Sequence, residues 1–407
     1  MKRKTITLPI RLASILCVAF LPAAFANHRT GDFALPAAME VADYDKDGNL
    51  DLAVCLEGFD NIAILTGDGE GGFTLRSHLK TDTLPKGLAS GDMNSDGRLD
   101  LAAIARWGYN IRISLGDGAG GFALANELNG DGEPTRILLR DVNKDGKLDI
   151  VANAPNENKV IVYLGDGQGG FGSSAIEVEH PQRGGAIETG DFNKDGNPDI
   201  VVTEFDPDNP EASAFVILLG DGSGAFTEAG SFGTNPQATT LGVADLNKDG
   251  NLDLIAGGAG ADNDTGLFLS TYLGDGQGSF TVKQINDLGT GSIKGQIALG
   301  DFNEDGNMDV AFPQSSKLTI QGDLSTTVLT FMGDGTGNFS DGPSITVGKE
   351  PDTAVATDLN EDGHRDLVVS NRTDATVSVL LGSGNGTFTT HATILIATIP
   401  GAEIGSR

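Results

Sequence analysis

The chain has 407 residues, with 57 acidic against 27 basic side chains and a formal net charge of -30. So acidic a protein excludes a nucleic-acid partner, because no basic surface of the size needed for phosphate contacts remains. The 58 glycines and 6% aromatic content point to many tight turns rather than long helices.

In chain order, residues 1–26 read as a secretory signal peptide: a basic start, an apolar run from Leu12 to Leu21, and a small-residue ending at Ala24-Phe25-Ala26. The apolar run is shorter than the ~20 residues a membrane span requires, so no transmembrane segment is expected once the signal is removed. The mature chain is therefore expected to be secreted or at the cell surface, with the periplasm as an alternative, and monomeric. Residues 27–36 form a short N-terminal segment. Cys55, the only cysteine beyond the signal, lies in "DLAVCLE" and reads as a small buried hydrophobe.

From residue 43 an acidic nonapeptide recurs: "DYDKDGNLD" at Asp43, "DMNSDGRLD" at Asp92, "DVNKDGKLD" at Asp141, "DFNKDGNPD" at Asp191, "DLNKDGNLD" at Asp245, "DFNEDGNMD" at Asp301 and "DLNEDGHRD" at Asp358. Successive starts differ by 49, 49, 50, 54, 56 and 57 residues. Each copy runs into an apolar β-rich stretch and then a second motif, as in "ILTGDGEGGF" and "VYLGDGQGGF". Gly-Asp-Gly between apolar runs is a hairpin signal, and no segment sustains a 3.6-residue period. Each unit thus predicts four short strands. Seven such units give an all-β fold, a seven-bladed β-propeller of four-stranded antiparallel blades over residues 37–399, followed by a tail at 400–407. An open solenoid is the rival, but closure removes exposed sheet edges. Blade 7 is expected to take its outer strand from "FTTHATILIATIP". Thr30 to Leu35 sits where an outer-strand end would be, so the termini are expected to meet in one blade.

Within the nonapeptides, positions 1, 3, 5 and 9 carry Asp or Asn and position 6 is always Gly, the pattern of a compact loop wrapping an oxygen-loving cation. Calcium takes 6–8 oxygen ligands, so up to seven Ca²⁺ ions are expected. The candidate ligands at position 1 are Asp43, Asp92, Asp141, Asp191, Asp245, Asp301 and Asp358; at position 3, Asp45, Asn94, Asn143, Asn193, Asn247, Asn303 and Asn360. Position 5 offers Asp47, Asp96, Asp145, Asp195, Asp249, Asp305 and Asp362; position 9 offers Asp51, Asp100, Asp149, Asp199, Asp253, Asp309 and Asp366. Position 7 would contribute its carbonyl, which explains why Asn49, Arg98, Lys147, Asn197, Asn251, Asn307 and His364 vary. An EF-hand would need Glu at position 12 and flanking helices; here position 12 lies in a predicted strand. Asx turns without metal explain the glycine but not the acids at positions 1, 5 and 9. The Gly-Asp-Gly aspartates, such as Asp68 and Asp117, read as turn caps.

On these motifs the chain resembles the FG-GAP and VCBS-type repeats, the seven-bladed propellers related to the integrin α-subunit head. The resemblance spans roughly residues 37 to 396. It implies calcium in the loop joining the first two strands of a blade, on the face opposite the one that usually binds partners. Blade 7 departs from the pattern with Ser383 in place of the turn aspartate and with His364-Arg365 in its loop.

The opposite face, built by variable connections, is where binding usually sits. It carries Lys86, Arg136, His180, Arg183 and Lys349 before the first strands, and Arg106, Trp107 and Tyr109 between the second and third of blade 2. These are the candidate ligand-binding residues, with ordinary solvated loop charges as the alternative. The function expected is a binding or adhesion module for a glycan or an extracellular protein, not an enzyme. A polysaccharide lyase or other extracellular hydrolase is the alternative, with His180 and Arg183 the one pair to test, and a structural cell-surface scaffold is a third reading.

Overall fold

A computed structural model of the chain describes residues 34–105, 109–130, 132–172, 176–179, 183–205, 213–234, 238–259, 266–289, 291–293, 295–315 and 324–396. The seven predicted blades are all present, each an antiparallel meander running outward from the inner strand. Blade 1 comprises β1 (Pro36–Ala42), β2 (Asp51–Leu56), β3 (Asn61–Gly67) and β4 (Phe73–Lys80). Blade 2 comprises β5 (Pro85–Gly91), β6 (Asp100–Ala105), β7 (Asn110–Gly116) and β8 (Phe122–Asn129). Blade 3 comprises β9 (Ile137–Arg140), β10 (Asp149–Ala154), β11 (Lys159–Tyr163) and β12 (Ile176–Glu179). Blade 4 comprises β13 (Arg183–Gly190), β14 (Asp199–Phe205), β15 (Ala214–Gly220) and β16 (Phe226–Gly233). Blade 5 comprises β17 (Ala238–Ala244), β18 (Asp253–Ala259), β19 (Leu267–Gly274) and β20 (Phe280–Asp287). Blade 6 comprises β21 (Ala298–Gly300), β22 (Asp309–Gln314), β23 (Thr327–Gly333), β24 (Phe339–Asp341) and β25 (Ile345–Thr346). Blade 7 comprises β26 (Pro351–Thr357), β27 (Asp366–Asn371), β28 (Thr376–Gly382) and β29 (Phe388–Leu395).

Burial follows strand position. The second strands are apolar on both faces, as "DLAVCL" in β2 and "DIVANA" in β10, and are buried along their whole length. Outer strands such as β4 and β29 alternate between half-buried and exposed, because one of their faces meets solvent. The core is divided among the seams rather than gathered at a centre. Ile62, Ile64 and Cys55 of blade 1 meet Leu88 and Leu101 of blade 2, and comparable apolar clusters fill the other seams around the ring. Cys55 is fully enclosed there, and burial pushes its thiol well above the usual range.

The outer strand of blade 6 departs from the four-strand pattern. Gly342-Pro343 interrupts it, so β24 and β25 pair separately with β23, as expected where proline removes a ladder donor.

The expected sharing of one blade by both termini rests on Thr30 to Leu35, of which the described residues Ala34 and Leu35 join blade 1. Blade 7 is complete in one continuous stretch, β26 to β29, while Leu35 and Ala34 accept hydrogen bonds from the amides of Glu57 and Gly58 in blade 1; Thr30 to Phe33 lie outside the described residues. The physical reason is that the C-terminal "FTTHATIL" is itself long enough to pair the length of β28. The ring is closed instead by side chains. Met39, Leu52 and Val54 pack with Val368, Val377 and Val379 across the seam between blades 7 and 1, and Ser370 Oγ donates to the Ala37 carbonyl at 3.3 Å. Glu57, on a short 3-10 turn (Glu57–Phe59), accepts from Lys86 of blade 2 at 3.0 Å and also pairs with Arg372 of blade 7. Burial alone would raise the Glu57 carboxyl, but the two cations outweigh it and hold it below the ordinary range.

Candidate metal loops and the channel they surround

The nonapeptides form seven loops of one design, each joining the first two strands of its blade. The last aspartate begins the second strand and is the anchor. Asp51 accepts from the Tyr44 amide on Oδ2 and from the Gly67 amide on Oδ1, both at 2.9 Å. The same two bonds recur at Asp100, Asp149, Asp199, Asp253, Asp309 and Asp366. All seven are fully buried. Burial pushes the carboxyls of Asp199 and Asp309 up to about 6 despite those donors, with charge from the neighbouring loop aspartates adding to it. This side chain therefore ties the acidic loop to the Gly-Asp-Gly turn of its own blade, a role beyond the ligand expected from sequence.

The remaining loop acids hold the turn. Asp92 Oδ1 accepts from the Asp96 amide and Oδ2 from Gly97, Asn94 Oδ1 accepts from Asp96, and Asp96 Oδ1 accepts from Arg98. Position 4 is left-handed in every loop, from Lys46 at φ 63° to Glu361 at φ 56°. The oxygens of positions 1, 3, 5 and 9 are thus gathered around one concave turn. In loop 1, carboxylate oxygens of Asp43, Asp45 and Asp51 lie within 4.8 Å of one another. Asp43 Oδ1 is buried there with no hydrogen-bond partner. A buried acceptor without a donor is costly, and an all-oxygen set converging on it fits a hard cation.

Position 7 turns its side chain onto the position-5 carboxylate in several loops, as Asn49 Nδ2 donates to Asp47 Oδ2 at 3.2 Å. Arg98 and Lys147 fold back toward Asp96 and Asp145 at 3.8 and 3.4 Å, and His364 pairs with Glu304 of loop 6. Counter-charges also cross the seams. A Cβ on Gly97, Gly196, Gly250 or Gly306 would lie 3.6–3.8 Å from the Nζ of Lys46, Lys144, Lys194 or Lys248, each from position 4 of the preceding loop. Gly48, Gly146 and Gly363, which follow Glu361, Ser95 and Glu304 in the ring, have nothing within 4 Å.

The two motifs dock between blades. The carbonyl of position 2 accepts from the last turn glycine of the next blade, as Tyr44 from Gly120 and Phe302 from Gly386. The corresponding rings meet edge to face: Tyr44 with Phe122, Phe192 with Phe280, Phe302 with Phe388. The turn aspartates cap their own turns, Asp68 Oδ1 accepting from Glu70 and Gly72. In blade 7 Ser383 substitutes, bonding Asn385 and Thr387.

On the opposite face the eight candidate ligand-binding residues separate. Arg106, Trp107 and His180 lie outside the described residues, and Arg183 begins β13 opposite Phe205. Lys86 is committed to Glu57. Arg136 is half-buried, and burial lowers its guanidinium pKa against the opposing charges of Asp352 and Glu188. Tyr109 is 48% exposed and donates to Glu133, and Lys349 donates its amide to Asp374. The topology therefore rings the channel mouth with the starts of the inner strands, but the Lys86 side chain there is taken up by Glu57.

Sequence reasoning passed over two residues. Glu40 in β1 and Glu188 in β13 stand three positions before their loops, where the other blades carry Ala89, Leu138, Gly242, Ala298 and Val355. Both border a cavity of about 310 Å³ between the inner strands. The signal was available by aligning the repeats: an acid at a position otherwise small or apolar.

FG-GAP-like repeats match residues 43–103, 92–152 and 141–202. Among solved structures, the chain resembles BBS1N in complex with ARL6DN, at 11% identity and TM-score 0.57 over 90% of this chain and 94% of that one. It also resembles the periplasmic gluconolactonase of Pseudomonas aeruginosa, at 13% identity and TM-score 0.62 over 88% and 95%. A protein from Lactobacillus plantarum gives 11% identity and TM-score 0.57 over 88% and 96%. These likenesses concern the fold. No curated protein matches the sequence.

Proposed function

This chain is a seven-bladed β-propeller of FG-GAP-like repeats, and from that premise we propose that it is a secreted, calcium-stabilised binding or adhesion module for a glycan or protein partner. The observation that carries the calcium reading is the unpartnered, buried Asp43 Oδ1 beside Asp45 and Asp51. Calcium bound there would add positive charge beyond that of Arg76, whose Nη1 lies 3.5 Å from Asp45 Oδ2. The chain's own part is to hold the oxygens in place: the glycine at position 6 turns the backbone, and the position-9 aspartate fixes the loop to its strand.

Partner binding is assigned to the opposite face, where connections vary in length from blade to blade while the loop face repeats. The periplasmic gluconolactonase has a similar fold, but fold likeness at this identity carries no activity.

The test combines a glycan array with and without a calcium chelator and a thermal melt under the same conditions. Calcium-dependent glycan binding together with a lower melting temperature in chelator is expected. An unchanged melt would sink the calcium reading, and turnover of an acidic polysaccharide would replace the binding module with an enzyme.

A further inference from the structure

The channel cavity has walls of Met39, Val41, Leu241, Leu299 and Val355, with Gln296 as a neutral polar group and Glu40 and Glu188 as its acids. Both carboxylates are half-buried among otherwise apolar side chains, and a charge taken partly out of water without a partner is costly. Neither forms an ion pair with a described residue. Glu40 has only the hydroxyl of Ser90, at 3.2 Å, as a side-chain donor. The neighbouring Thr189 backbone favours the charged form of Glu188. Arg140 acts on both carboxylates through its charge, yet its Nε donates to Thr189 Oγ1 at 2.9 Å and its Nη1 to the Leu139 carbonyl at 2.8 Å. Arg136 acts on Glu188 in the same long-range way.

We propose that the central channel is a binding site for a small aliphatic amine, with Glu40 and Glu188 as its anionic contacts and the Val, Leu and Met side chains enclosing its methylenes. The size suits a small organic ligand, since such pockets begin at roughly 300 Å³. A bare divalent ion is the poorer occupant, because the side chains of the lining offer two carboxylates and one amide against the six or more oxygens it takes. The need for a cation also agrees with the titration of the two acids: burial pushes both up to about 7. This site is separate from the acidic loops and does not depend on calcium filling them.

The experiment is calorimetric titration of the full chain with putrescine at pH 8 and about 0.15 M salt, which screens the acidic exterior. One putrescine per chain is expected, with no binding of 1,4-butanediol. Glu40→Gln and Glu188→Gln should each weaken the putrescine by tenfold or more, while a melt in calcium verifies that each variant is folded. Putrescine affinity unchanged in the double variant, no saturable binding, or displacement by millimolar magnesium at that one site would overturn the proposal; the last would leave an inorganic cation as occupant.

Discussion

At the scale of single residues, the strongest constraint falls on a glycine. A Cβ on Gly67 would sit 2.0 Å from the Leu50 carbonyl oxygen, and the equivalent contact recurs in every blade, at Gly116 with Leu99 and Gly382 with Arg365. The acidic loop and the Gly-Asp-Gly turn can therefore touch only through glycine. Gly67→Ala should destabilise the protein by about 2–4 kcal/mol in chemical denaturation, whereas alanine at Gly233, which has open space around it, should change little. Asp45 sets a second expectation. It adds a carboxylate where the other loops have asparagine, so Asp45→Asn should weaken calcium in loop 1 by about tenfold, read by titration, since ligand charge tunes affinity. For Glu40 and Glu188 the sign follows from their raised pKa near 7. A carboxyl held higher in the folded than in the unfolded chain contributes stability below the unfolded value of ~4.3, and that contribution is lost as pH rises through 7. The charged groups facing them are Arg136 and Arg140. Without amine, either Glu→Gln variant should melt about 2 °C or more above wild type at pH 8, with the gap closing by pH 5.

At the scale of elements, the repeat made strand order legible from sequence, because a buried second strand, a glycine turn and an alternating outer strand each leave a distinct local pattern. The position-2 to Phe contact, Tyr44 on Phe122, was not legible: nothing within one repeat says that it packs on the next. For the same reason the seam-crossing lysines escaped notice as well. Removing Lys144, Lys194 and Lys248 together as glutamines should lower stability in chelator by about 0.3–0.5 kcal/mol each at low salt, and by less once salt or calcium is added. Ring closure depends on Glu57, which serves Lys86 and Arg372 at once. Glu57→Gln leaves two partly buried cations underpaired and should cost about 2–4 kcal/mol. Lys86 was read from sequence as a ligand contact because its place at the start of β5 was visible and its partner, some 30 positions earlier in the chain, was not.

At the scale of the whole molecule, each acidic loop sits on a seam, so calcium bound in the loops, as proposed, would strengthen the contacts that hold blade to blade. If each site is held at about ten times its dissociation constant, it adds ~1.4 kcal/mol, and seven would add on the order of 10 kcal/mol at most. A calcium series should therefore raise the melting temperature progressively rather than in one step. The blade-by-blade seams also bear on where the chain can be cut. Among the described residues, blade 7 is built from one unbroken run of sequence and meets blade 1 through side chains and a few hydrogen bonds, so no described strand is shared between them. The breakpoint is then one of seven equivalent gaps. A circular permutant that links residue 396 to residue 34 through a short flexible segment and opens between Glu179 and Arg183 should fold to the same ring and melt within a few degrees of the parent; failure to fold would mean that the order in which the blades are laid down, and not only their contacts, is written into the present ends.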